Sequence, residues 1–279
     1  MRLNNLKLKY TFSLIACLAM LYLPLKEVFA AKKIKKIIID AGHGGKDPGC
    51  HGVYSNEKEI TLAVAKKVGK MVQDSFKNSV KVAYTRDGDV LAGGDDLTIG
   101  QSLLYRTDFA NKEKGDLFIS IHVNATAKRN SPVKGTLVLV CGPTRVEEKE
   151  GAIGENTQNL EENQEGILDP NDPATAIIIA QYSQAFLSRS ILFGTKIHEE
   201  FEIQGRRAEG VRQQSLQVLA SSAMPGVLVE IGYLNNQEEE DYLNSEEGQN
   251  EVALAIFKGI KFYKNETEKT PIDVKLENN

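Results

Sequence analysis

The sequence carries no basic excess. Its 34 Lys and Arg residues stand against 38 Asp and Glu, for a formal net charge of -4. Nothing there would displace the counterions of a phosphate backbone, which argues against a nucleic-acid partner. Cysteine is scarce, with three in 279 residues. Two cysteines, Cys50 and Cys141, remain beyond the first thirty residues, too few for a disulfide-stapled fold. In an oxidising compartment they either pair or stay as thiols. Long apolar runs are missing after residue 30, and no internal repeat is visible. Histidine is limited to four positions, His43, His51, His122 and His198, so any imidazole chemistry must draw on these.

The N-terminus is where apolar character concentrates. Arg2, Lys7 and Lys9 precede an apolar stretch from Thr11 to about Leu25, and Val28-Phe29-Ala30 follows as a small-x-small ending. Residues 1–30 therefore read as a secretory signal peptide. The stretch is somewhat shorter than the roughly 20 residues of a membrane span, although an uncleaved anchor is an alternative. Leu14-Ile15-Ala16-Cys17 offers a second one, a lipoprotein cleavage box. The mature chain is expected to be soluble and exported, to the periplasm or cell envelope.

Beyond the leader, periodicity predicts an α/β fold: a single layered domain with a mostly parallel central sheet flanked by helices. Strands are expected at Ile34–Ile39, Val80–Tyr84, Asp116–His122, Val133–Val140, Ser215–Leu219 and Val227–Ile231. Helices are expected at Glu59 to about Phe76, Gln101–Asn111, Ala174 to about Phe201, from Asn236, and Glu247–Tyr263. The domain would span residues 31–264, with a polar, frayed tail over 265–279. Between 143 and 173 the periodicity breaks into an acidic, polar inserted segment.

The decapeptide Asp40–Gly49, DAGHGGKDPG, follows the apolar run Ile37–Ile39. Lys46 is followed by Asp47, without the hydroxyl residue of a nucleotide-binding loop, and the glycine spacing misses that of a dinucleotide loop. Asp40 and Asp47 would also repel phosphate. A metal site is better supported. His43 and His122 each lie just past or at the end of an apolar strand, where an open α/β sheet gathers its functional groups. A catalytic zinc takes three protein ligands, and a carboxylate is the natural third. Glu57 and Glu59, at the start of the next helix, both qualify. His51 has no such placement, and His198 lies in a polar helical run. Glu230 lies near the end of an apolar strand, costly for a carboxylate unless it is paired or functional. Such an unligated carboxylate can move the proton in a hydrolysis.

The ordered motifs IIIDAGHGGKDPG, EKEITLAVAKKV, TRDGD, FISIHVNA and VLVEIGYLNN resemble those of the zinc-dependent N-acetylmuramoyl-L-alanine amidases, the AmiC-like cell-wall amidase catalytic family. The likeness covers about Lys35 to Tyr263. It implies one Zn2+ per chain, held by His43, His122 and Glu57, with Glu59 as the rival carboxylate, and Glu230 as the catalytic glutamate. It further implies Asp40 as a carboxylate orienting His43, with Arg86 and Asn124 in the pocket. The implied reaction is hydrolysis of the amide between N-acetylmuramic acid and L-alanine of peptidoglycan, in wall remodelling or daughter-cell separation. A thiol mechanism at Cys50 is disfavoured, since His51 is poorly placed to act as its base. Some family members carry an inserted helix whose glutamate fills the open metal position; Glu155 is the matching candidate here, and an activator protein would act on this segment. A solvated acidic loop is the alternative for it. The chain is expected to be a monomer. Alternative readings are an exported zinc carboxypeptidase on wall peptides and a non-catalytic wall-binding regulator.

Overall fold

The strand KIIIDA, β1 (Lys36–Ala41), explains the layering by itself. Ile37, Ile38 and Ile39 are all fully buried, and successive side chains of a strand point to opposite faces. Ile37 and Ile39 enter one apolar cluster, and Ile38 enters the other. A strand apolar on both faces needs cover on both, which a parallel sheet between helices provides. In the computed structural model, which describes residues 33–142, 145, 149 and 173–269, that is the arrangement found. The expected leader, most of the inserted segment with Glu155, and the last ten residues lie outside the described residues. Residues Ile34–Lys264 form one compact unit.

After β1 come α1 (Glu57–Phe76), β2 (Lys81–Tyr84), α2 (Ile99–Lys112), β3 (Leu117–Asn124), β4 (Thr136–Cys141), α3 (Pro173–Ile203), β5 (Ala208–Gln214), α4 (Gln217–Ala220), β6 (Gly226–Tyr233), α5 (Gln237–Asn244) and α6 (Glu246–Lys269). The sheet order is β2-β1-β3-β6-β4-β5. All neighbouring pairs are parallel except β4 with β6. The first cluster joins Ile37 and Ile39 to Val64 and Val68 of α1, Phe193 of α3 and Ile256 of α6. The second joins Ile38 and Phe118 to Ala110 of α2 and Val218 of α4. Among the described residues, no helix is long and apolar enough to cross a membrane.

Two expectations at the edge need correction. Ser215–Leu219 is not a strand: Gln217–Ala220 form the short helix α4, and the strand is the preceding β5, sequence AEGVRQQ. β5 is an edge strand, half-buried in its first part and exposed at its end, so it has no apolar run to announce it. The final helix continues to Lys269 rather than ending at Tyr263.

Three features position the site. β1, β3 and β6 are adjacent and parallel, so their C-terminal ends open on one crevice. α1 starts at that crevice: Asn56 caps it, and the Glu59 carboxylate accepts from the Asn56 N–H at 3.0 Å in a capping box. The loop before α1 is tied down by Glu240 of α5. Its fully buried carboxylate accepts from the N–H groups of Val53, Tyr54 and Ser55 at 2.7–2.9 Å and from the Ser55 hydroxyl at 2.8 Å. At the other end of the sheet, buried Lys149 donates to the carbonyls of Leu219 and Met224 and to Ser222 Oγ. Burial lowers this ammonium to about 8. Cys50 and Cys141 form no disulfide. Cys50 Sγ donates to the Val123 carbonyl at 3.2 Å, at the C-terminal end of β3. Cys141 ends β4, which runs antiparallel to β6 and so finishes at the opposite end of the sheet.

Candidate metal centre

His43, Glu57 and His122 bring one ligand atom each to within 4.8 Å of one another. Glu57 is the centre of the group. Its Oε1 lies 2.9 Å from His122 Nδ1, and its Oε2 lies 3.2 Å from His43 Nε2. Backbone N–H groups hold the same carboxylate from behind, Cys50 to Oε2 and Val123 to Oε1, both at 2.9 Å. The side chain is buried, which opposes ionisation, yet the hydrogen bonds from His122 and His43 outweigh burial and hold its pKa far below the usual carboxylate range. Glu57 is thus a fixed anion at the foot of the crevice. Glu59 is exposed and committed to the helix cap, and Glu57 is the carboxylate that converges with the two imidazoles.

The glycines of the loop make room for this packing. A Cβ on Gly42 would lie 2.5 Å from the His122 ring, and one on Gly49 would lie 2.5 Å from Glu57 Oε2 and 2.7 Å from the His43 ring. Gly49 also has φ of +69°, a conformation side chains rarely adopt. The two imidazoles meet edge to face, with ring centroids 5.0 Å apart.

The carboxylate on His43 Nδ1 is Asp47, at 2.8 Å, rather than Asp40. Asp40 lies a layer deeper. It is fully buried and accepts from Thr85 Oγ1 at 2.6 Å, Ser120 Oγ at 2.6 Å and Arg106. The reason is the turn: Gly44 and Asp47 bridge each other and fold Asp47 back over the imidazole. With Asp47 on Nδ1, the free nitrogen Nε2 faces Glu57. Burial favours the neutral His43 ring, but Glu57 and Asp47 together raise its pKa above the ordinary value. Outer hydrogen bonds of this kind are worth about 10–100-fold in metal affinity. Asp47→Asn is therefore expected to weaken zinc binding by that factor, measured by competition with a chromophoric chelator. Unchanged affinity would show that the contact does not orient the ring.

Arg86 does not line the crevice as expected. It is 3% exposed and donates to the carbonyls of Ala41, Gly42, Gly88 and Lys58. Burial lowers its pKa to about 10. Asn124 ends β3 two residues beyond His122, and its Oδ1 accepts from the Ala125 N–H at 2.8 Å. His51 pairs with Asn56 at 2.7 Å, away from the thiol of Cys50. Burial, then the Glu57 charge, pushes that thiol far up, so it stays protonated and is a poor nucleophile. Asp47 could have been found in the sequence, since it lies four residues after His43 across a glycine turn; nothing in the sequence singles out Arg106.

Glu230 completes the arrangement. It is the register partner of His122 on the adjacent parallel strand, so both side chains leave the same face of the sheet. Among the described residues its Oε2 is buried without a hydrogen-bond partner. Burial raises its pKa to about 7; the His122 and Glu57 charges act in opposite directions. A buried carboxyl oxygen without a partner costs about 1–3 kcal/mol or more, which the surrounding structure tolerates here beside three convergent ligand atoms. Two imidazoles, one fixed carboxylate and a neighbouring unligated carboxyl form a donor set that fits zinc with an open position.

The family model described as N-acetylmuramoyl-L-alanine amidase (Amidase_3) matches residues 37–262. N-acetylmuramoyl-L-alanine amidase AmiC of Escherichia coli O6:H1 is 29% identical over 231 residues, covering 81% of this chain. The chain spans about half the length of that relative, 52%. The catalytic domain of CwlV, an N-acetylmuramoyl-L-alanine amidase from Bacillus (Paenibacillus) polymyxa var. colistinus, superposes with a TM-score of 0.58 at 28% identity, over 83% of this chain and 99% of that one. The CwlD amidase of Clostridioides difficile, solved with the GerS lipoprotein, shares the fold at a TM-score of 0.54 and 23% identity, over 83% of this chain and 98% of that one. The chain belongs to the N-acetylmuramoyl-L-alanine amidase (Amidase_3) family.

Proposed function

We propose that the protein is a zinc-dependent amidase that cleaves the amide between N-acetylmuramic acid and L-alanine of peptidoglycan, with one zinc per chain. The observation that carries this reading is the convergence of His43, Glu57 and His122 beside Glu230, whose buried Oε2 has no hydrogen-bond partner among the described residues. Zinc in such a donor set acts as a Lewis acid that polarises a carbonyl and acidifies water. The chain's own residues do the rest. Glu57, anchored by the Cys50 and Val123 N–H groups, holds both imidazoles in place. Asp47 fixes the His43 tautomer that leaves Nε2 toward the centre. Glu230, with a pKa of about 7, is poised to take a proton from attacking water and return it to the departing alanine amine. No side-chain nucleophile takes part.

The leader over residues 1–30 supports export to the periplasm or cell envelope, where peptidoglycan is the substrate. The acidic insert would be the point at which an activator acts, with Glu155 as the ligand it withdraws. The chain works as a monomer. A wall carboxypeptidase would use the same metal and base, but the family points to the amide at the sugar. Digestion of purified peptidoglycan tests the reading by product analysis. The expected products are intact stem peptides bearing a free L-alanine amine and glycan stripped of peptide, formed only while zinc is present. Release of single D-amino acids would replace the amidase with the carboxypeptidase. No product with zinc bound would leave a binding protein.

A further inference from the structure

Two buried guanidinium groups converge on the backbone of the turn that presents His43. Arg86 Nε donates to the Ala41 carbonyl at 3.0 Å and Nη2 to that of Gly42 at 2.8 Å. Arg106, 5% exposed, spans further: Nη1 reaches the Ala41 carbonyl at 2.8 Å, and Nη2 reaches the His43 carbonyl at 2.7 Å. Nη1 is also braced by the fully buried Asp40, at 2.5 Å. The strain lies where these contacts end. His43 has φ of +61°, a left-handed conformation that a residue with a Cβ keeps only when its surroundings impose it. The conformation matters because it turns the imidazole back over Glu57 instead of letting the chain run on along the strand direction.

We propose that Arg106 is a positioning residue for metal binding: its contact with the His43 carbonyl, braced by Asp40, holds the left-handed turn that aims His43 Nε2 at Glu57 and His122. The inference rests on the metal reading above. It is specific because one planar fork joins Asp40 to the ligand residue's own carbonyl. A lysine ammonium could stay beside Asp40 and the Ala41 carbonyl, but its single nitrogen could not also reach the His43 carbonyl. Ser120 and Thr85 hold Asp40 as well, and no hydrogen bond from either reaches the turn. Their loss is purely structural.

The test compares Arg106→Lys with Ser120→Ala and Thr85→Val. Zinc dissociation constants are measured by chelator competition, and Tm is measured on the metal-free proteins. All three variants are expected to melt lower. Only Arg106→Lys is expected to raise the zinc Kd, by about 10–100-fold, the range seen when the support of a ligand is lost. The other two should stay within about threefold of the wild type. An unchanged Kd in Arg106→Lys overturns the proposal, as does a Kd that rises in all three in proportion to the fall in Tm. If the lysine variant does not fold, Asp40→Asn, which keeps the shape of the brace and weakens its charge, is expected to raise Kd about 3–10-fold, and no rise overturns the proposal. A wild-type chain that binds no zinc defeats the metal reading itself, and that measurement alone tells the two failures apart.

Discussion

Glu230→Gln is expected to lower turnover of purified peptidoglycan by about 10²–10⁴-fold, the usual worth of a general acid–base group. Zinc affinity should change little, because Glu230 is not among the three convergent donor groups. Glutamine keeps the size of the side chain and removes its ability to accept and return a proton. The same substitution has a pH-dependent effect on stability that activity alone would not show. The folded pKa of Glu230, about 7, lies above its ordinary value of 4.5 because burial disfavours the charge. The folded chain therefore binds this proton more tightly than the unfolded chain does. That contribution to stability is fully present below about pH 4.5 and is lost as pH rises through about 7. In the metal-free protein, glutamine should thus leave Tm little changed at pH 4.5 and raise it by several degrees at pH 8. Thermal melts across that range check the sign. A variant that melts lower at pH 8 would mean that Glu230 is ionised and well paired in the folded state. Turnover unchanged by the substitution would remove Glu230 from the chemistry.

His122→Ala carries the second large effect. It deletes one of the three convergent donors and leaves Glu57 with His43 and its two backbone donors. The loss in zinc affinity should exceed the about 10–100-fold that an outer hydrogen bond costs, and turnover should fall to background. Treating the wild type with a chelator should reproduce the loss, and added zinc should reverse it. Zinc content measured after gel filtration, alongside peptide release, decides the matter. A His122→Ala protein that keeps stoichiometric zinc would place the metal elsewhere. Persistent activity in the chelated wild type would exclude metal-assisted hydrolysis outright.

How much of this was legible beforehand depended on burial. β1, β3 and β6 are runs of apolar residues buried on both faces, so their pattern needs no tertiary knowledge, and the histidines at their ends follow from it. β5 carries no such pattern, because an edge strand faces water and can be polar along its length. Residue type and spacing do not separate Glu57 from Glu59, since both lie in the first turn of α1; the family likeness favours Glu57, and the helix cap occupies Glu59. Asp47 and Asp40 are both near His43 in the chain, and the choice between them turns on the backward fold of a glycine loop. Arg86 and Arg106 act on carbonyl groups, and a carbonyl belongs to every residue, so no side-chain motif marks their targets.

The Glu240 clamp and the β3–β6 pairing have a consequence for the timing of synthesis. Both imidazoles are translated well before Glu230 and the carboxylate that pins the loop before Glu57. At about 5–20 residues per second, the roughly 110 residues from His122 to Glu230 take about 5–20 s to translate. Until they emerge, β3 has no β6 partner and the loop before α1 has no Glu240. The three convergent side chains, although made early, are therefore held in their final places only once the segment through Glu240 has emerged.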